Sequence, residues 1–320
     1  MSYCLFILVL LMSFIVHCNA FELVQQHRPK ACIVISRQAP NSVTFAAQEL
    51  KEHIKKISKA ELSITNKPQA GLFPIYLGAS KWTQKYLNKL KSSKPDSFII
   101  KTFPDKMIII GRDYSKSGII SGTVHPLRKS ESYNAKVKIC RFGETGTLYG
   151  VYAFLRRLGV RWYMPGKLGT VIPHKDSISL NNSIDIFQSP DFEYRLLYAC
   201  DFPKDEEGAL WYRRAGFGAP FPLQVNHSFH LLKIYKEKHP GIFALKNGKR
   251  DFSQSCMGAG NLCLSNPETA ELFVKYIIDF FKKHPKKEVF PVVPNDGLIE
   301  ICECKNCQSQ IRKDKDNTGK

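Results

Sequence analysis

Apolar residues recur at helical spacing between Val43 and Ile57. Val43, Ala46, Ala47, Leu50, Ile54 and Ile57 share one face, and Glu49, Lys51, Glu52, Lys55 and Lys56 fall opposite. The pattern predicts an amphipathic helix that Asn41 or Ser42 can cap. The apolar runs Cys32 to Ser36 and Ile75 to Gly78 on either side read as strands. A lysine-rich helix is expected over about 83–90. Phe98 to Lys101 and Met107 to Ile110 flank Pro104-Asp105 and predict two strands joined by a tight turn. A second amphipathic helix, Thr147 to Leu158, buries Leu148, Val151, Leu155 and Leu158. Arg156 and Arg157 suit its negative end, and Gly159 stops it. Val160 to Tyr163 and Thr170 to Ile172 read as extended pieces, and the polar stretch 113–134 as a loop or insertion.

Strands alternating with helices predict an α/β layer domain over 21–187, because apolar periodicity lapses between Asn181 and Pro190. The second region, 188–320, opens with the extended run Phe192 to Ala199, which leads to Asp201. A Gly/Pro-rich loop (216–222) and a histidine-bearing segment (226–240) follow. Ser265-Asn266-Pro267-Glu268 then starts a helix that runs to Lys283, with a capping residue, an early proline and a first-turn glutamate. The helix feeds the apolar run Val289 to Val293, expected to be a buried strand, which empties into Pro294-Asn295-Asp296-Gly297. A (β/α)8 barrel keeps its chemistry at the C-terminal ends of its strands. The second region is therefore expected to be the first part of a TIM-type barrel, incomplete within this chain.

Charge and composition refine this picture. The chain has 320 residues, 43% of them hydrophobic and 12% aromatic, which is a globular composition. Leu5 to Val16 is almost wholly apolar, and Cys18 and Ala20 are small residues placed as a signal-peptidase site prefers. Residues 1–20 read as a signal peptide, which makes the protein secreted or periplasmic. The apolar run is short for a membrane anchor, and no later segment looks transmembrane. The net charge of +19 attracts anions, and export turns the choice from nucleic acid toward acidic polysaccharide. The lysines are scattered, which is also how a solvated basic surface looks.

Asp296 is the leading candidate for catalysis. A carboxylate at a strand end can act as acid, base or nucleophile, although Asn-Asp-Gly is also ordinary turn chemistry. Glycoside cleavage needs a second carboxylate, at about 5–5.5 Å or about 6.5–9.5 Å. Glu300, Glu303 and Asp201 are the nearby options. His227 and His230 can share one face of a helical turn and, with Asn295 and Arg195, line a sugar subsite. Two histidines with no carboxylate ligand beside them make a weak metal signal. Cys302, Cys304 and Cys307 can form disulfides in an oxidising compartment, for example to Cys256 or Cys263. Alternatively, they can supply three of four thiolates to zinc. Disulfides are the favoured expectation, and no cofactor is expected.

Several motifs resemble known families. Phe45-Ala46-Ala47-Gln48-Glu49-Leu50, Ile75-Tyr76-Leu77-Gly78, Gly146-Thr147-Leu148-Tyr149-Gly150-Val151-Tyr152 and Gly159-Val160-Arg161-Trp162-Tyr163 resemble the N-terminal domain of α-glucuronidases and β-hexosaminidases. Downstream, His239-Pro240-Gly241-Ile242-Phe243, Asn261-Leu262-Cys263-Leu264-Ser265-Asn266-Pro267, Pro294-Asn295-Asp296-Gly297 and the cysteine cluster resemble a bacterial domain-of-unknown-function family, number 4838. The resemblance implies an α/β N-domain ahead of a glycosidase-type barrel. It also implies a secreted glycoside hydrolase acting on a polysaccharide, with uronic-acid-bearing or sulfated chains favoured by the charge. The alternative it leaves is a non-catalytic carbohydrate-binding or surface protein that retains the fold.

Overall fold

A computed structural model describes residues 21–113, 133–134, 139–140, 143–180, 183–195, 206–219, 227–252, 261–285, 287, 289–295 and 301–310. The signal segment 1–20 and the candidates Asp201 and Asp296 lie outside these residues. The chain divides into two compact units, 1–222 and 223–320.

The first unit is built on a six-stranded mixed sheet. In chain order its strands are β3 (Ala31–Ile35), β4 (Ser63–Thr65), β5 (Phe73–Leu77), β6 (Phe98–Phe103), β7 (Lys106–Gly111) and β13 (Asp185–Gln188). Their spatial order is β13-β6-β7-β5-β3-β4. The β3/β4, β3/β5 and β5/β7 pairs are parallel, and β6 pairs antiparallel with β7 and β13. Helices α1 (Asn41–Ser58) and α3 (Gly146–Arg157) cover one face, and the short α2 (Leu87–Lys91) covers the other through Leu90. Each central strand alternates between two cores. Ala31, Ile33 and Ile35 point one way with Ile75, Leu77, Met107 and Ile109, while Cys32, Val34, Tyr76, Ile108 and Ile110 point the other. Both faces are dry, so these strands read as unbroken apolar runs with no polar alternation.

Smaller pieces complete the unit. β1 (Phe21–Gln25) pairs antiparallel with β2 (Arg28–Pro29) and with β12 (Ile178–Leu180). β10 (Arg161–Trp162) pairs with β11 (Thr170–Val171), and β8 (Tyr133–Asn134) with β9 (Ile139–Cys140). Helix α4 (Glu206–Arg214) also belongs here, so the unit runs past the boundary expected at 187. The physical reason is both apolar and polar: Leu210 and Trp211 of α4 pack against the core of the first unit. Arg195 and Gly218 exchange backbone hydrogen bonds, both at 2.9 Å, and Arg214 reaches Glu49 of α1.

Glycines set how closely α3 lies on the sheet. A Cβ on Gly111 would sit 2.0 Å from the backbone carbonyl carbon of Gly146, and one on Gly150 would sit 2.7 Å from Ile109. Only hydrogen fits at those positions.

The second unit holds β14 (Leu245–Lys246) paired with β15 (Lys249–Arg250), α5 (Pro267–Lys283) and α6 (Lys305–Gln310). Asn266 caps α5 by accepting from the Glu268 amide, as its sequence predicts. Phe229, Leu232, Ile242, Phe243, Leu262 and Phe273 form its core. The expected strand Val289 to Val293 is corrected: those residues form no ladder, and parallel pairing is confined, among the described residues, to the first unit. Phe290 instead packs edge-on against Phe273, Tyr276 and Phe280 of α5. The expected burial is corrected too: Val292 is 58% exposed and its neighbours in the run are half-buried. A strand needs a partner backbone, and apolarity does not supply one.

Candidate functional site

The segment entering Asp296 is held from 65 residues away. The Ser228 amide donates to the Val293 carbonyl at 2.9 Å, and the Val293 amide returns to Ser228 Oγ at 3.1 Å. Beside them, His227 Nδ1 lies 2.5 Å from the Pro294 carbonyl oxygen. A carbonyl can only accept, so Nδ1 carries the proton and the tautomer is set. Ser228 and Asn295 are both buried. Two of the candidate residues, His227 and Asn295, are therefore brought to one junction, immediately before Asp296.

His230 follows on a 3-10 turn, Phe229–Tyr235, and its Nδ1 is buried with no hydrogen-bond partner. His239 turns away from this junction. Its Nδ1 meets Glu268 at 2.6 Å, in the first turn of α5.

Arg195 occupies a different setting, in the first unit. Its Nε donates to the Gly216 carbonyl at 2.9 Å, one Nη to the carbonyls of Phe192 and Glu193, and the other to Asp96 at 2.7 Å. Its fork is occupied by its own chain, which makes it a tether for 192–216. It lines a cleft of about 260 Å³ together with Asp96, Phe98, Tyr149, Arg156 and Phe192.

Sequence reasoning missed a set of carboxylates in the first unit, of which Asp96 and Glu144 are buried and Asp113 half-buried. Thr145, at the start of α3, makes no side-chain cap. Asp96 accepts from the Thr145 amide at 2.8 Å, and Asp113 accepts from the Thr147 amide at 3.0 Å and its hydroxyl at 2.5 Å. Two acids from distant positions thus satisfy the positive end of the helix. Burial pushes the Asp113 carboxyl up to about 7 against the pull of the Thr147 bonds, and the charges of Asp96 and Glu144 add to the rise. Glu144 is also raised, mainly by burial, and its partner Arg112 lies 2.6 Å away. The available signal is Gly111-Arg112-Asp113 at the end of an apolar strand, which does not announce a remote cap.

The cysteines make the tightest cluster. Cys263, Cys302, Cys304 and Cys307 place their sulfurs within 4.8 Å of one another, with Cys263 at 3.6 Å from Cys304 and 3.8 Å from Cys307. The disulfides expected here are not formed: all four are free thiols, as is Cys32. Cys256 lies outside the described residues. The Leu245 amide points at Cys302 Sγ (3.2 Å) and the Cys307 amide at Cys304 Sγ (3.4 Å). The Cys304 thiol is lowered to about 6, first by Ser265 and then by the Cys307 amide, while burial pushes Cys302 up to about 11. The sequence showed three of these residues as a compact motif. Cys263, some 40 positions upstream, was legible only as a possible disulfide partner.

Residues 164–319 match the family model described as Domain of unknown function (DUF4838), so the resemblance read from the sequence holds. No curated protein matches the chain. Among solved structures, the chain is similar to a GH115 4-O-methyl-α-glucuronidase with specificity for decorated arabinogalactans. That match has 18% identity, covers 55% of this chain and 19% of that one, and has a TM-score of 0.36. It is also similar to a GH138 enzyme targeting pectin rhamnogalacturonan II, with 15% identity, coverage of 47% and 11%, and a TM-score of 0.23. The chain thus spans less than a fifth of either relative's length.

Proposed function

We propose that this chain is part of a secreted, glycoside-hydrolase-like protein that acts on an acidic polysaccharide. The observation that carries the reading is the junction of His227 and Ser228 with Val293, Pro294 and Asn295. It anchors both the imidazole and the backbone that leads into Asp296, and a positioned carboxylate is what glycosidic cleavage requires. The match of 164–319 to the family model supports the same reading, because the quoted motifs of that region include Pro294-Asn295-Asp296-Gly297. The charge of +19 favours a uronic-acid-bearing or sulfated chain.

In this reading Asp296 is the acid, base or nucleophile, with its partner carboxylate on another segment of the full-length protein. His227, His230 and Asn295 contact the sugar. Asp201 is a further contact from the start of the region. Arg195, already engaged by its own chain, serves to hold the N-terminal side of the region. Export belongs to the same proposal: cleavage after Ala20 leaves β1, which starts at Phe21, intact.

The test is a hydrolysis and binding screen of the full-length protein on neutral, uronic-acid-bearing and sulfated polysaccharides, read as new reducing ends and as retained protein. Cleavage of an anionic chain supports the proposal. Retention without cleavage supports a carbohydrate-binding protein instead, and neither result on any polysaccharide overturns both. N-terminal sequencing of the exported chain tests the signal, with Phe21 as the expected first residue.

A further inference from the structure

The four sulfurs of the second unit are arranged as a coordination shell. Cysteine is often buried as a small hydrophobe, and three buried thiols in contact with a half-buried fourth need no further role on that account. Three features separate this cluster from ordinary packing. First, tetrahedral zinc with bonds of about 2.3 Å sets sulfur–sulfur edges of about 3.8 Å. The pairs recorded here, 3.6 and 3.8 Å, lie at that edge, and no pair exceeds 4.8 Å. An S–S bond is about 2.05 Å, so none is present in this arrangement. Second, polar groups are aimed at the sulfurs. Ser265 Oγ lies 3.6 and 3.4 Å from Cys263 and Cys304 and accepts from the Cys307 thiol at 3.1 Å, and the Leu245 and Cys307 amides donate toward Cys302 and Cys304. Packing does not require such donors, whereas thiolates bound to a cation are held by them. Third, the sulfurs come from two distant segments, residue 263 before α5 and residues 302–307 at α6, and converge on one point.

We propose that Cys263, Cys302, Cys304 and Cys307 bind one Zn²⁺ as a tetrathiolate. Four sulfurs in a tetrahedral set suit zinc, whose filled d shell imposes no other geometry. The thiols release their protons to solvent as the metal binds, and no oxidation is involved. With four protein ligands the ion has no open position for water or substrate, so it is structural. It staples three segments of the second unit. The hairpin β14/β15 joins through Leu245 and through the Asn247 amide on Glu303 (2.6 Å), the entry to α5 joins through Cys263, and α6 joins through Cys304 and Cys307. The inference is independent of the glycan reading, since the site would hold its ion whatever the protein acts on.

The experiment is metal analysis and intact-mass measurement of the full-length protein, purified without added metal or chelator from both reducing and oxidising expression. The expected result is one zinc per chain. Modifying the thiols of the native protein with a mercurial should release it, and Co²⁺ exchange should give a thiolate-to-metal charge-transfer band. Cys263→Ser should lose stoichiometric zinc. Because that variant can fail to fold, a second measurement uses the wild type: chelation should lower its melting temperature, and zinc, not magnesium, should restore it. Metal-free protein with free thiols overturns the proposal. So does iron in place of zinc, or a metal-free mass lighter by two hydrogens per S–S bond.

Discussion

Arg214 grips Glu49 with two parallel hydrogen bonds, Nε to Oε2 and Nη2 to Oε1, both at 2.9 Å. The pair joins α4 to α1 across 165 residues of sequence and lies against Trp162, whose ring centre is 5.7 Å from the guanidinium carbon. Both side chains are largely out of water. Removing one partner of such a pair leaves the other buried and uncompensated, at a cost of about 3–5 kcal/mol. Glu49→Gln and Arg214→Ala should each lower stability by that order, read as a drop in the denaturant midpoint. A change within about 0.5 kcal/mol would place the pair among weak surface contacts.

The Asp96–Arg195 bond makes a related prediction about a residue nominated for substrate. Arg195→Ala removes the tether on the carbonyls of Phe192, Glu193 and Gly216 and strands a buried carboxylate. Stability should fall by about 3 kcal/mol or more, and protein that remains folded should bind glycan as the wild type does. Unchanged stability with lost binding would return Arg195 to the substrate.

Asp113 predicts a pH effect. Its carboxyl keeps its proton in the folded state up to about 7, whereas the ordinary value is 3.8. Between these values the native state binds more protons than the unfolded chain, so stability from this group falls as pH rises, by up to roughly 4 kcal/mol, and levels off above the folded value. Asp113→Asn mimics the protonated form and can still accept from the Thr147 amide. Urea unfolding from pH 4 to 8 should show the variant gaining on the wild type as pH rises to about 7. A constant difference would contradict the assignment.

Gly111→Ala should be among the most damaging small substitutions. The new methyl would overlap the backbone of Gly146 and Thr147, which cannot swing aside as a side chain can. Overpacking of this kind costs about 1–3 kcal/mol, and more where backbone must move. The same change at Gly248, where nothing lies within 4 Å, meets no steric obstacle, but φ there is +72°, so only backbone strain remains. Melting temperatures of the two variants should separate accordingly.

The elements legible in the sequence are those whose signal is local. Helices α1, α3 and α5 follow from periodicity, and α5 begins and ends where Asn266, Pro267 and the last lysines place it; the cap expected from Asn41 or Ser42 is not made, because α1 starts directly after Pro40 with both residues already inside it. The β6/β7 hairpin follows from its turn. Strands β1, β4, β12 and β13 escaped because they are short pieces whose identity depends on a remote partner, such as Ile178 on Val24 or Asp185 on Lys101. The same limit governs the sites. Cys302, Cys304 and Cys307 are visible as a motif, while the fourth sulfur needs the chain folded. His227 and Asn295 could be named separately, but their meeting depends on hydrogen bonds between segments 65 residues apart. The mixed α/β class was legible from alternation, whereas the acids that cap α3 carry no periodic signature.

The most direct test of the proposed activity compares wild-type and Asp296→Asn full-length protein on an anionic polysaccharide, with initial rates of reducing-end release measured beside melting temperatures. The account predicts a rate loss of at least about 100-fold, of the size expected when a general acid or base is removed, with the melting temperature nearly unchanged. Wild-type turnover by the variant, or a full-length wild-type protein that releases no reducing ends, would contradict it.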